Sequence, residues 1–261
     1  MTVCYIRGAG LAAPGLASWP ASLDILRGTS PYLDAAETPY ACALLPPNER
    51  RRATASVRQA FRAAEDAVAS SGGDAREFAS VFASSDADMA VLHRICAALA
   101  NQPRVISPTD FHNSVHNAAS GYWSIAVQSM ALTTTLSAHD ASFSAGLLEA
   151  VALVDAQRDV LLVAYDTVAP PPLLAKRPLT MSAGVALVLS ATAGAAPLGR
   201  IAVDAGEARE SPCAIAALEN LRVANPALRA LPLLELLAAK RAGEVSLRGT
   251  GELCVAVTFT P

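Results

Sequence analysis

The chain has 261 residues, a formal net charge of −3, 52% hydrophobic residues and only 16% charged ones. That length suffices for one large domain or two small ones with a sizeable core, and the charge balance excludes the basic footprint of a nucleic-acid binder. The charged fraction, well under the average of about 25%, implies that a partner covers part of the surface. The five cysteines, Cys4, Cys42, Cys96, Cys213 and Cys254, are odd in number and scattered, which argues against a disulfide framework and a zinc ribbon and fits reduced cytosol. The opening MTVCYIRGAG lacks the basic-then-apolar pattern of a signal. The longest apolar helix-like run, 141–154, is shorter than the roughly 20 residues a bilayer requires and is broken by Ser142, Ser144 and Glu149. The expectation is a cytoplasmic protein with no membrane insertion.

In chain order, residues 3–7 read as a strand and 16–47, punctuated by Pro and Gly, as irregular chain. A helix is expected from Asn48 to Ser70, with Val57, Phe61, Ala64 and Val68 on one face and Gly72-Gly73 as its stop. A short strand at 80–85 leads to a helix capped by Asp86 or Asp88 and carrying Met89, Leu92, Ile95, Cys96 and Leu99. A helix over 114–130, a strand over 133–137, a helix over 141–156 and a strand over 159–165 follow. This order implies crossover units in a parallel or mixed sheet. Residues 169–178 read as a turn-rich linker, 182–190 and 199–205 as two strands paired with each other, 212–222 and 231–241 as helical, and 253–259 as a final strand. The helix at 141–156 is informative: Phe143, Leu147, Leu148, Val151, Leu153 and Val154 share no single stripe, so it must be buried on every side between layers.

Four features invite a chemical reading. Gly8, Gly10 and Ala13 fit G-x-G-x-x-A after a strand, but Pro14, Gly15 and Pro20 break the helix a dinucleotide site requires, so no cofactor is expected. His112 and His116 stand four apart, a spacing that on a helix can share a metal, but HNSVH has Asn113 where a hydrolytic site has its carboxylate; no metal is expected. Arg50, Arg51 and Arg52 read as a solvated helix start or as part of a docking surface for an acidic carrier protein. Asp140 stands at a strand-to-helix corner, where its carboxylate is placed to cap the amides of Ser142 or Phe143. A helix N-terminus lowers a carboxyl pKa, which disfavours Asp140 as a general base.

The segments ISPTDFHNSVHNAASGYWSI and TLSAHDASFSAGLLEA, together with GAGLAAPG and PPNERRRATASVRQAFRAAEDA, resemble the N-terminal half of the β-ketoacyl-(acyl carrier protein) synthases. The resemblance runs over about residues 3–190. It implies a thiolase-like layered α/β fold, of which this chain is essentially one βαβαβαββ-type half with the buried central helix. Residues 1–190 would be that half and 191–261 a short C-terminal α/β extension completing the same domain. On this register the family's nucleophilic cysteine falls on Asp140. The family's two catalytic histidines belong to its second half, and no histidine follows His139; the chain is expected to be too short for two full halves. Condensation requires a thiolate for the acyl group and imidazoles for the malonyl group.

The resemblance therefore implies a non-catalytic partner of chain-length-factor type, pairing with a full-length ketosynthase and meeting acyl carrier protein through that complex, in polyene or fatty-acid-like biosynthesis of the aryl polyene kind. It places the interface and acyl-pocket wall at Phe111, Ser114, Val115, His116, Asn117, Thr134 and Leu136. Two other readings stand beside it. One is an acyl-thioester transferase or hydrolase with an altered site built from His139, Asp140, His116 and Asn117. The other is a homodimer that binds acyl groups without reaction.

Overall fold

The computed structural model describes residues 2–206 and 209–261. Strand β1 spans Thr2–Ala12, well past the predicted 3–7. Helix α1, Trp19–Leu26, lies in the stretch expected to be irregular. Ser18 Oγ accepts from the Ala21 amide, and Pro20 falls in the first turn, where its missing N–H costs no hydrogen bond. The single helix expected from Asn48 is two, α2 (Pro47–Arg52) and α3 (Ala55–Ser71), because Thr54 starts a new one by accepting the Val57 amide at 3.3 Å. Gly72 ends α3 in the left-handed conformation, φ 65°.

Strand β2 is Ala79–Ala83, and Asp88 caps α4 (Met89–Ala100) by accepting the Val91 amide at 2.9 Å. The helix expected over 114–130 begins only at 118. Residues Pro108–Asn113 form α5 and Ala118–Val127 form α6, with a loop between them. Strand β3 (Thr133–Leu136) runs through a 3₁₀ turn, His139–Ala141, into α7 (Ser142–Leu153), which leads to β4 (Val160–Asp166). The remainder is β5 (Ala183–Ser190), β6 (Gly199–Gly206), α8 (Ala216–Ala224), a 3₁₀ turn at Pro226–Ala230, α9 (Leu231–Ala239), β7 (Gly243–Arg248) and β8 (Cys254–Thr260). Strand β7 had no counterpart in the sequence reading.

The described strands form one eight-stranded sheet in the order β3-β2-β4-β5-β1-β6-β8-β7. Strand β2 pairs in parallel with both β3 and β4, as the crossovers require; every other pairing is antiparallel. Strands β5 and β6 do not pair with each other as the sequence suggested: β1 lies between them. The sheet buries both faces. On one, Phe61, Phe82, Trp123 and Tyr165 pack between the strands and α3 and α6. On the other, Phe143, Leu147, Leu162, Leu228 and Leu234 fill the space between the strands, α7 and the C-terminal helical layer. Helix α7 is held between the sheet and the Pro226–Ala230 turn, but it is not buried on every side as expected: Leu148, 43% exposed, and Ala152 lie on a stripe that faces outward, because only the sheet and the turn pack against the helix.

Glycines 8 and 10 sit inside β1. A Cβ on Gly10 would stand 2.0 Å from the Ala63 carbonyl oxygen, so the motif exists to let α3 lie against the strand. The backbone there is engaged by α3 and presents no helix N-terminus to a phosphate.

Candidate functional site

At the β3–α7 corner the chain turns through His139, whose φ of 53° lies in the left-handed region that non-glycine residues rarely occupy. The capping role expected of Asp140 is not what the structure has. The corner is tied by serines: Ser142 Oγ accepts from the Ala138 amide at 3.1 Å and donates to the His139 carbonyl at 2.7 Å, while Ser144 Oγ donates to the Ala141 carbonyl at 3.0 Å. The start of α7 has no side-chain cap. Because the 3₁₀ turn places Asp140 before the helix proper, its carboxylate points elsewhere, to an ion pair of 2.7 Å with Arg177 Nη2. Arg177 Nε donates to Asp86 at 3.1 Å, and His139 Nδ1 lies 3.5 Å from Asp140.

A guanidinium from the Pro-rich connection after β4 thereby bridges the corner to the loop after β2. Ser137 Oγ adds a second tie to the same loop, donating to the Ser85 carbonyl at 2.8 Å. Burial by itself would raise the Asp140 carboxyl. Hydrogen bonding and charge from Arg177, with the charges of His139 and Arg229 behind it, outweigh burial and hold it below its ordinary value. A carboxylate so held is a weak base, and its oxygen is already paired. Beside it opens a cleft of about 400 Å³ lined by Ala138–Ala141 and the hairpin Arg248–Gly251.

The second region is the α5–α6 segment. Phe111, Val115 and Asn117 border an apolar cleft of about 430 Å³ with Gly121, Tyr122 and Ile125. Phe111 is 68% and Val115 51% exposed, large apolar side chains offered to solvent. Ser114 does not line this cleft: its hydroxyl donates to the Phe111 carbonyl at 2.8 Å and closes α5. His116 turns to a different, smaller cavity with Asp88 and Asn113. His112 packs edge-on against Tyr122, with ring centroids 5.8 Å apart. The two histidines therefore share no helix face, because α5, which carries His112, stops at Asn113 and His116 lies in the loop before α6. No group of three or more His, Cys, Asp or Glu among the described residues is placed to hold a metal. His116 lines a different cavity from the one that His139 and Asp140 line.

Thr134 and Leu136 lie on β3, the edge strand, which pairs through β2 on one side only; Thr134 is opposite Val81 and Leu136 opposite Ala83. Around that edge Ile125, Met130 and Leu132 are all exposed, Met130 almost completely. An unpaired edge flanked by apolar side chains is a surface for pairing. Sequence reasoning missed two contributors to these sites. Arg177 falls in the stretch 169–178 that the sequence predicts as a turn-rich linker, and Arg248 ends strand β7, which the sequence does not predict; neither has a periodic pattern that would mark it.

The family model for the β-ketoacyl synthase N-terminal domain matches residues 27–231. No curated protein matches the chain. Among solved structures, a ketosynthase (ApeO) in complex with its chain length factor (ApeC) from Xenorhabdus doucetiae is similar at 23% identity and a TM-score of 0.73, over 100% of both chains. The ishigamide ketosynthase/chain length factor is similar at 13% identity and 0.75, over 99% of each chain. A type II polyketide synthase carrier protein in complex with its hexaketide-bound ketosynthase (AntDE:AntF) is similar at 11% and 0.76, again over 99% of each. These likenesses establish a thiolase-like ketosynthase fold. With the family model running from the end of α1 into the start of α9, across the β3–α7 corner and its buried helix, the chain belongs to the β-ketoacyl synthase family, through that family's N-terminal domain.

Proposed function

We propose that this chain is a non-catalytic subunit of chain-length-factor type, which pairs in the cytoplasm with an active β-ketoacyl-carrier-protein synthase and shapes its acyl pocket, in aryl polyene biosynthesis. The observation that carries this reading is the corner itself. Where the family register expects a nucleophilic thiol, Asp140 is locked by Arg177 and held as a carboxylate. Attack by a carboxylate on an acyl thioester gives a mixed anhydride, not the transferable thioester that condensation requires. The likeness to two solved ketosynthase/chain-length-factor assemblies supports the same role.

In the proposed complex the partner ketosynthase covers the β3 edge, with Thr134 and Leu136 at the seam, and the α5–α6 segment faces its acyl tunnel. Phe111 and Val115 are the wall residues, the most exposed of the large apolar groups on the cleft, with Ile125 beside them. His116 and Asn117 support that segment from behind and beside. Carrier protein reaches the complex through the active subunit.

The test is co-expression with candidate ketosynthases, followed by pull-down and a malonyl condensation assay with and without this chain. The reading expects a stable complex, no condensation by this chain alone, and longer products from a complex carrying Phe111→Ala. Condensation by the isolated chain, or thioester turnover that Asp140→Ala abolishes, refutes it.

A further inference from the structure

Two residues of the HNSVH stretch, Asn113 and His116, line neither the corner nor the apolar cleft. His116 and Asn113 instead line, with Asp88, a small cavity that Val57, Ala119 and Tyr165 also border. Each of the three polar residues brings one buried atom with no hydrogen-bond partner: Asp88 Oδ2, Asn113 Oδ1 and His116 Nε2. Their other atoms fix how they stand. Asp88 Oδ1 is occupied by the Val91 amide at 2.9 Å. Asn113, only 2% exposed, donates Nδ2 to the Arg52 carbonyl at 3.1 Å, which orients the amide and leaves Oδ1 as an acceptor.

Buried polar atoms left unpaired cost about 1–3 kcal/mol each, and three that line one cavity call for a shared partner. We infer that Asp88, Asn113 and His116 form a binding site for a single ordered water. Size and chemistry agree. The cavity has about 10 Å³ of room for the centre of a water-sized sphere, against the roughly 10–15 Å³ that one water needs. With its proton on Nε2, His116 donates to the water, and the water's two hydrogens go to Asp88 Oδ2 and Asn113 Oδ1, so that each of the three atoms gains the partner it lacks. A hard divalent cation is a poor fit, since it requires six or more oxygen ligands or several retained waters.

The site also has a mechanical consequence. Asp88 starts α4, Asn113 ends α5 and His116 lies in the loop before α6. One water therefore ties three elements together directly behind Phe111 and Val115. Asn113 and His116 are positioning residues of that segment, a role the inference assigns whether or not the segment faces an acyl chain.

A crystal structure of the full chain that resolves ordered solvent tests the site. The expected result is a peak within hydrogen-bond distance, roughly 2.6–3.2 Å, of all three atoms, with no anomalous signal after a rubidium or thallium soak. Nitrogen-15 NMR of the same protein is expected to show the His116 proton on Nε2. In His116→Leu the peak is lost, and amide exchange across 111–117 speeds by about tenfold. An anomalous peak at the site makes it a cation site and overturns the inference. So does a structure in which Asp88 contacts His116 directly, or one in which Asn113 Oδ1 takes the neighbouring Tyr122 hydroxyl instead. Loss of ketosynthase pairing with this peak retained would refute the proposed function alone.

Discussion

Replacing Arg177 by methionine tests the account of the corner most directly. The guanidinium is 13% exposed and stands between Asp86, 14% exposed, and Asp140, 26% exposed. Methionine fills most of the volume, but it leaves two carboxylates near one another in a poorly solvated place. Breaking a buried pair by removing one partner costs about 3–5 kcal/mol; with a quarter of Asp140 still in water the expectation is nearer about 2–4 kcal/mol. Asp140→Ala is milder, about 1–2 kcal/mol, because Arg177 keeps Asp86. The double variant should cost less than the sum of the singles by about 1–2 kcal/mol, as groups in one ion network do. Urea unfolding followed by the fluorescence of Trp123, buried against Phe61, gives each number.

The sign with pH follows from the depressed Asp140 carboxyl. Its contribution is complete above the unfolded carboxylate value, near about 3.9, and is lost as pH falls through the lower folded value. A helix cap at this position would instead leave Asp140→Asn almost neutral and Arg177→Met cheap. Either outcome, an Arg177→Met cost under about 1 kcal/mol or an unaffected Asp140→Asn, refutes the bridge.

Asp166 should show the opposite sign. Burial pushes its carboxyl up to about 7 despite hydrogen bonds from Ser85 and Ser84, so between about pH 4 and 7 the folded chain holds a proton that the unfolded chain has released. Stability falls as pH rises through that window, and the difference between wild type and Asp166→Asn, measured by urea unfolding at several pH values, isolates the effect. Gly10→Val should abolish soluble folded protein, since the new Cβ meets the α3 backbone at Ala63; a thermal melt within a few degrees of wild type would contradict the packing. Leu132→Lys beside β3 should leave the chain's own stability within about 0.5 kcal/mol and remove pull-down of a ketosynthase. Asp140→Cys should restore an alkylatable thiol without malonyl condensation, read by mass spectrometry and by the condensation assay.

The sequence by itself determined what local pattern can encode. Periodicity located α3, α7 and most strands, and Gly72 and Asp88 marked the helix ends they make; the apolarity of 141–156 pointed to a helix buried on every side, whereas the fold leaves Leu148 and Ala152 facing outward. The resemblance to the family's motifs gives Asp140 the nucleophile's corner as an expectation. What the tertiary structure decided were pairings between positions far apart in the chain. Glycines 8 and 10 match a phosphate motif in sequence, and only the approach of Ala63 shows that they make room for a helix. Strands β5 and β6 are neighbours in the chain, yet β1 enters between them, because apolar alternation specifies which face of a strand is buried and not which strand lies beside it. Asp140 could be read as a cap because capping is a local geometry; its actual partner, Arg177, arrives from a Pro-rich connection with no periodicity to announce it. An ion pair between distant residues depends on where the fold brings two charges together, and nothing in either residue's own neighbourhood records that.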